Sequence, residues 1–146
     1  MKKILTLMAL VAITGATALA QDKQPIDVAK LPSLAQSNLK AYYSDVEITE
    51  AATGTGKLKN EYYVTLANGT RLTFDKHGQW TEVVANEGGE IPTRMVNGRV
   101  QMYLSKNHPG AKVVRMKKDK KSNYEFDLDD GKNLYFNEQF APITPK

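Results

Sequence analysis

The chain has 146 residues, no cysteine and a formal net charge of +4 at pH 7. The absence of cysteine excludes disulfide cross-links and a lipid-modified cysteine, so the fold must be stabilised by packing. The small positive charge does not indicate a nucleic-acid partner, because proteins that bind nucleic acid concentrate basic residues more strongly.

The first 20 residues have the layout of a bacterial secretory signal peptide. Lys2 and Lys3 are followed by an almost uncharged apolar run, residues 4–18, and by a small-residue cleavage motif. This run is shorter than the ~20 residues that cross a bilayer. We expect cleavage between Ala20 and Gln21, and a periplasmic or secreted protein without a stable membrane span. Removal of 20 of the 146 residues leaves a mature chain of 126.

Composition divides the mature chain into four segments. Residues 21–30 are predicted to form a flexible lead, 31–85 a first unit, 86–90 a linker and 91–146 a second unit. Apolar residues of the two units match at a constant offset of 62. The matched pairs are Tyr62/Tyr124, Val64/Phe126, Leu66/Leu128, Leu72/Leu134 and Phe74/Phe136. Such self-similarity indicates one supersecondary unit used twice.

Each unit is predicted to begin with a helix. Apolar residues recur at helical spacing from Leu31 and again from Ile91, and the second helix should end before Pro109. Residues 46–48 are predicted to form a short strand, and residues 51–56 a flexible connection. The sequence therefore predicts an α+β fold of two tandem repeats. Each repeat is a helix plus a four-stranded antiparallel meander, and the repeats share a continuous sheet or a packed interface.

Two hairpins are predicted where apolar and polar residues alternate on both sides of a glycine turn. The turns are Asn-Gly at 68–69 and Asp-Gly at 130–131, and both residues of each turn are expected at positive φ. A further turn at 75–78 leads to a fourth strand. The matching turn of the second unit lacks the glycine and is expected to be about two residues shorter.

The two-residue period of a strand separates two faces of the predicted sheet. The matched apolar residues should lie beneath the helices, and the residues between them point away. We call this second set the outer face: Tyr63, Thr65, Arg71, Thr73, Glu125, Asp127, Asn133 and Tyr135. Its mixture of aromatic, charged and hydrogen-bonding groups is typical of protein-binding surfaces. An ordinary solvated sheet face has the same pattern.

The densest basic cluster of the chain follows the second predicted helix. We call it the basic patch: Arg115, Lys117, Lys118, Lys120 and Lys121. Such a cluster can dock an anionic polymer or lipid headgroups. Such a cluster is more often a solvated hairpin tip whose lysines discourage edge-to-edge aggregation.

No motif for catalysis, a metal or a cofactor is present in the sequence. Residues 127–138 are acidic but lack the EF-hand spacing, and residues 53–57 lack the spacing of a phosphate-binding loop. His77 and His108 lie far apart and in different settings. We therefore predict no catalytic residue, no metal, no cofactor and no enzymatic activity. A hydrolase that depends on either histidine is a remote alternative.

Several segments of the chain resemble the PepSY-like family of exported Bacteroidetes proteins. The resemblance rests on Leu31-Pro32 before a helix, on residues 43–48 and 63–75 and on His77-Gly-Gln-Trp80. It recurs through residues 108–113, 124–137 and 139–140. It implies a fold likened to the beta-lactamase inhibitor protein, built from two tandem repeats. It also implies a periplasmic or secreted location and a binding or inhibitory role. The matched positions are core and turn residues, so no functional residue is carried over.

The sequence as a whole favours an exported, non-enzymatic binding module of the periplasm or cell envelope. We predict that its outer face binds an exported or envelope protein, with inhibition as one form of that binding. The alternative is a small-ligand or polyanion binder that uses the basic hairpin at 115–121.

Overall fold

The computed structural model describes residues 22–144 and contains one antiparallel sheet of nine strands, ordered as they occur in the chain. The strands are β1 (Lys23–Pro25), β2 (Ile48–Gly54), β3 (Tyr62–Leu66), β4 (Arg71–Phe74), β5 (Trp80–Val84), β6 (Val113–Lys118), β7 (Tyr124–Leu128), β8 (Asn133–Phe136) and β9 (Pro142–Ile143). The helices are α1 (Ser33–Tyr42) and α2 (Gly98–Asn107), and short 3-10 helices occupy Val28–Lys30, Gly56–Leu58 and Thr93–Met95.

The fold is therefore mainly β with some helix. The predicted α+β class, with two tandem helix-plus-four-stranded repeats, is wrong, because the described residues form one nine-stranded sheet with only two helices. Part of the error lies in the second helix, which was expected from Ile91. Pro92 instead precedes a separate 3-10 helix. Helix α2 begins only after Asn97, whose side chain accepts a hydrogen bond from the Arg99 amide at 2.8 Å.

Strand β2 also replaces most of the flexible connection predicted at 51–56. Its backbone pairs with β1 on one side and with β3 on the other. A Cβ at Gly54 would lie 1.9 Å from the carbonyl oxygen of Leu58, so only glycine fits there. Ala51 and Ala52 are buried. The small residues of this segment thus permit close packing and do not make it flexible.

The chain divides into two compact units, the first ending at Trp80 and the second beginning at Thr81. The predicted segment boundaries at 30, 85 and 90 stay predictions. The lead predicted at 21–30 contains β1 and the first 3-10 helix. The predicted signal peptide, residues 1–20, lies outside the described residues.

The core of the first unit comes from α1, β3 and β4. Helix α1 follows Pro32, a residue that suits a helix start because its φ is fixed and it lacks an N–H. Ala35 and Leu39, four residues apart, form the buried side of α1. The most buried strand residues, each at most 2% exposed, are Val64, Leu66, Leu72 and Phe74. Burial of each large side chain contributes roughly 1.5–3 kcal/mol.

The core of the second unit is built around aromatic contacts. Phe136 is fully buried, and its ring lies edge-on to Phe126 at 5.5 Å and to Tyr103 of α2 at 5.4 Å between ring centroids. Val100, Met116 and the other members of the core are aliphatic. The buried Val64 and Phe126 confirm the predicted alternation of the hairpin strands.

The hairpin turns differ from their prediction in one respect. Only the glycines, Gly69 with φ 98° and Gly131 with φ 90°, have the left-handed conformation. The expectation of positive φ at both turn residues is therefore wrong. Asn68 instead accepts a hydrogen bond from the Thr70 amide at 2.9 Å, which closes a longer turn.

The turns that follow β4 and β8 have the same length, contrary to the shorter second turn that was predicted. The Asp75 carboxylate accepts the amide hydrogen of Gln79 at 3.0 Å. The Asn137 side chain accepts that of Ala141 at the same distance. A glycine takes the left-handed position in the first turn, whereas Phe140 takes it in the second, at φ 62°.

Candidate partner-binding face

The outer-face residues of the second unit lie side by side on neighbouring strands. In the register of β7 with β8, Glu125 is opposite Tyr135 and Asp127 is opposite Asn133. Strand β6 adds Arg115 opposite Asp127. Because opposite residues of antiparallel strands have Cβ atoms about 5 Å apart, these side chains can interact directly.

The guanidinium of Arg115 organises this half of the outer face. Its Nε donates to Glu82 Oε2 at 2.8 Å, and its Nη1 donates to Asp127 Oδ2 at 3.0 Å. Glu125 Oε1 lies 3.6 Å from the same Nη1. Asn133 donates to the other oxygen of Asp127 at 2.6 Å. One cation on β6 thus holds three carboxylates from the two neighbouring strands, β5 and β7.

These four charged side chains are between 20% and 32% exposed, so solvent partly screens them. Burial acts to lower the pKa of Arg115, but its hydrogen bonds to Glu82 and Asp127 outweigh burial and raise the pKa. Partly exposed ion pairs add little stability, typically up to about 1 kcal/mol each. The main effect of the network is to fix the positions of its members.

Tyr135 extends the network toward β9. Its hydroxyl donates to Glu125 Oε2 at 3.3 Å, and the negative charge of Glu125 raises the pKa of Tyr135. Beside it lies a groove of about 780 Å³ lined by residues of both predicted sets, among them Tyr135, Glu125, Lys117, Lys120 and Lys121. The outer face therefore has a concave part with aromatic, acidic and basic groups.

The outer face of the first unit has a different centre. Tyr63 is opposite Thr73, and the Lys23 ammonium lies 4.0 Å from the centroid of the Tyr63 ring. The Tyr63 hydroxyl donates to Glu61. Burial and the neighbouring Glu61 together raise the pKa of Tyr63. Arg71, on β4 opposite Thr65, is exposed.

The five members of the basic patch do not share one environment. Arg115 belongs to the carboxylate network. Lys117 is exposed and opposite Glu82 and Glu125, on the outer-face side of the sheet. Lys118 lies 5.9 Å from the centroid of the Tyr124 ring. Lys120 and Lys121 are exposed in the turn before β7.

That turn is closed by Asp119, whose Oδ1 accepts the amide hydrogens of Lys121 at 2.7 Å and of Asn123 at 2.9 Å. These hydrogen bonds, with Asn123 contributing most, lower the pKa of Asp119. Asp130 closes the next turn in the same way through the Lys132 amide at 3.0 Å. Asp119 and Asp130 therefore serve hairpin turns, whereas Asp129 accepts the amide hydrogen of Lys112 at 3.0 Å.

Neither histidine belongs to the outer face or to the basic patch. His77 is exposed in the turn after β4. His108 caps the end of α2 and lies 6.0 Å from the Tyr103 ring. Among residues 22–144, no group of three or more acidic or histidine side chains is placed to hold a metal ion.

Sequence reasoning missed Glu82 and Lys23 as members of the outer face. Glu82 lies on β5, which pairs with β6, and Lys23 lies on β1, which pairs with β2. The sequence specified neither pairing. The alternation along residues 80–84 was the available signal for Glu82. Val83, the next residue of the strand, is buried, so Glu82 belongs to the opposite face. Lys23 had no such signal.

The family comparison identifies the class of protein that carries this face. The family model described as "Putative beta-lactamase-inhibitor-like, PepSY-like" matches residues 60–144, more than half of the chain. The chain belongs to the PepSY-like family. This membership confirms the resemblance inferred from the sequence. A search of curated proteins gave no match.

Solved structures from Bacteroides species have the same fold. A "putative calcium-regulated periplasmic protein" from Bacteroides thetaiotaomicron is 34% identical, with a TM-score of 0.77 and coverage of 84% of this chain and 94% of that chain. A "putative periplasmic protein" from Bacteroides vulgatus is also 34% identical, with a TM-score of 0.78 and coverage of 86% and 97%. A second Bacteroides vulgatus periplasmic protein, of unknown function, is 23% identical with a TM-score of 0.75 over 84% and 97%.

These neighbours are described as periplasmic. Neither helix within residues 22–144 has the length and apolar character that a bilayer span requires.

Proposed function

We propose that this chain is an exported, non-enzymatic binding module of the periplasm or cell envelope whose outer face binds a protein partner. The Arg115 network carries this proposal. It holds Glu82, Glu125 and Asp127 in fixed positions and, through them, Asn133 and Tyr135. Side chains that are already ordered lose less entropy on binding, and arginine and tyrosine are enriched where interfaces gain most energy.

Export and the absence of catalysis are supported by the comparisons. The neighbours are described as periplasmic, which agrees with a signal peptide at residues 1–20 and cleavage before Gln21. The family description names an inhibitor-like fold. It supports a role in binding, and it suggests inhibition of an exported enzyme as one form of that binding.

A photo-crosslinking amino acid on the outer face tests the proposal. We would place it at Tyr135 or Tyr63 and, as a control, at Met102, which is 73% exposed on α2. With envelope extract from the producing cell, we expect an adduct of one defined mass from an outer-face position and none from Met102. If all three positions give the same adducts or none, the outer face is not the binding surface.

A triple variant, Tyr63→Ala with Arg71→Ala and Tyr135→Ala, gives a second readout. It should release the crosslinked partner while the thermal unfolding curve stays close to that of the unchanged protein. If the partner proves to be an enzyme, its activity with and without the chain decides whether binding inhibits it. Retained binding by the folded triple variant would reject the assignment of this surface.

The groove beside Tyr135 favours a second candidate function, binding of a polyanion by the basic patch. Lys117, Lys120 and Lys121 line that groove. Dextran sulfate is a suitable probe, and its binding should weaken steeply as salt is raised, because exposed charges are screened. Lys120→Gln with Lys121→Gln should abolish it, whereas Lys76→Gln, an exposed lysine in the turn after β4, should not. Binding that is indifferent to salt would contradict this candidate.

A further inference from the structure

The first unit contains a cavity of about 610 Å³ beside helix α1. Ser33, Ser37 and Lys40 line it from one side of α1, at spacings of four and three residues. Apolar residues from the helix and from β2 and β3 complete the wall: Leu39, Ile48 and Leu66. The volume is within the range of small-molecule sites, about 300–1,000 Å³, and the wall combines apolar and polar groups as such sites do.

Tyr43 at the end of α1 also lines this cavity, and its hydroxyl is unusual. The residue is only 7% exposed, and its hydroxyl oxygen is buried with no hydrogen-bond partner within the described part of the chain. Buried hydroxyls are nearly always paired, since an unpaired one loses its hydration without compensation. Burial raises the pKa of Tyr43 to about 12, so the group remains a protonated donor near neutral pH.

Lys40 supplies a cation at the same cavity. It is exposed, and it forms no salt bridge with a carboxylate of residues 22–144. The cavity therefore has one positive charge, hydroxyl donors from three serines (Ser33, Ser37 and Ser44) and the Tyr43 hydroxyl next to an apolar wall. Apolar side chains beside a cation and hydroxyl donors suit a molecule with an aliphatic body and one anionic end.

The corresponding place in the second unit lacks this combination. His108 ends α2 as Tyr43 ends α1: each backbone amide donates to the carbonyl of a leucine four residues earlier, at 2.7 and 2.8 Å. The adjacent cavity has only about 180 Å³. The larger cavity is therefore a property of the first unit and does not follow from the helix-end geometry that both units share.

We propose that the cavity beside α1 binds a small aliphatic monocarboxylate. The aliphatic chain would contact Leu39, Ile48 and Leu66, and the carboxylate would accept hydrogen bonds from the Tyr43 hydroxyl and the Lys40 ammonium. The Tyr43 hydroxyl is buried in this structure, so the proposal requires the ring to turn toward the cavity when the carboxylate binds. This site is distinct from the outer face, and the proposal does not depend on the protein partner.

Octanoate is the probe that tests the site, with the full protein observed by two-dimensional amide NMR. We expect saturable shifts at amides of α1 and of β2 near Ile48, with little change at α2. 1-Octanol has the same chain without the charge and should bind more weakly, and acetate has the charge without the chain and should not bind. Equal binding of octanoate and 1-octanol, or no saturable shift with octanoate, would overturn the proposal.

Two variants separate the site from a nonspecific surface. Tyr43→Phe removes only the hydroxyl and should weaken octanoate binding about fivefold, the effect of one lost hydrogen bond. Ser37→Trp fills the cavity from an exposed helix position and should abolish binding. Met102→Trp places the same ring on the exposed side of α2 and should leave binding unchanged. Unaltered binding by Ser37→Trp would show that octanoate binds elsewhere.

Discussion

The turn after β4 and the turn after β8 have the same backbone but different residues at their left-handed position. At Gly78, φ is +88° and an added Cβ would lie 2.7 Å from the backbone nitrogen of Ala35, so the start of α1 lies directly against the turn. At Phe140, φ is 62° and the ring stacks on Tyr124 at 4.3 Å. In the second unit, Arg99 of α2 donates a long hydrogen bond to the carbonyl oxygen of Gln139 in the turn after β8, at 3.5 Å.

This comparison shows how one turn geometry can serve two kinds of packing. Where a helix backbone approaches, only glycine is compatible with both the conformation and the space. At Phe140 the cost of positive φ, roughly 1–2 kcal/mol, is offset by stacking of a partly buried aromatic ring on Tyr124. The two units are therefore expected to respond differently to the same kind of substitution.

The largest difference should come from the core. Phe136→Ala removes a fully buried ring and its edge-on contacts with Phe126 and Tyr103, and we expect a loss of about 3–5 kcal/mol in the free energy of unfolding. Phe74→Ala in the first unit should cost about 1 kcal/mol less, because no ring-to-ring contact of that kind surrounds Phe74 among the described residues. Urea unfolding of both variants measures the difference. Equal losses would show that the aromatic contacts add nothing beyond burial.

The turns themselves should give the next largest difference. Gly78→Ala introduces positive-φ strain and a backbone clash, and we expect a loss of about 2–3 kcal/mol. Phe140→Gly relieves the strain but loses the stacking on Tyr124, so the two effects should nearly cancel, within about 1 kcal/mol. Thermal unfolding measures both. A Phe140→Gly variant as unstable as Gly78→Ala would contradict the proposed exchange of strain for stacking.

The smallest effect is expected where the helices end, at Tyr43 and His108. Tyr43→Phe removes an unpaired buried hydroxyl and should stabilise the protein by about 1 kcal/mol. The pKa of Tyr43 is raised to about 12 in the folded state, so the unfolded chain loses this proton first and the free energy of unfolding falls as pH rises from 10 through 12. Tyr43→Phe should therefore reduce the decline in stability between pH 10 and 12.

The pKa values of Tyr63 and Tyr135 are raised as well, and these two groups titrate in both the unchanged protein and the variant. The difference between the two proteins therefore isolates the effect of Tyr43. His108→Phe at the end of α2 is the matched control and should not change the alkaline decline. A decline that is identical with and without the Tyr43 hydroxyl would assign the alkaline sensitivity to the other tyrosines.

Sequence reasoning succeeded where one local pattern determines the structure. The alternation around Val64 and Phe126 predicted which strand residues are buried, and Gly69 and Gly131 predicted the hairpin positions. It failed where tertiary contacts decide. Residues 51–54 contain small residues with weak strand preference, and they are extended because β1 and β3 pair with them.

The candidate site shows the same division. Glu125, Asp127, Asn133 and Tyr135 were predicted on one face, and the register of β7 with β8 brings them together. The contacts of Glu125 and Asp127 with Arg115 were not predicted, because they depend on which strand lies beside β7. Tyr43 could not be recognised either, since an apolar helical stripe gives no sign that a hydroxyl at its end lacks a partner.

The order of the strands in the sheet has a consequence for how the protein folds. Each ladder described above joins strands that are consecutive in the chain, but the ladders differ in the length of chain that they close. The entropy of loop closure is small for the hairpins β2–β3, β3–β4, β6–β7 and β7–β8, whereas β1–β2 and β5–β6 each close a loop that contains a helix. The hairpins can therefore form early, and the two closures around the helices are expected to limit the rate of refolding from urea.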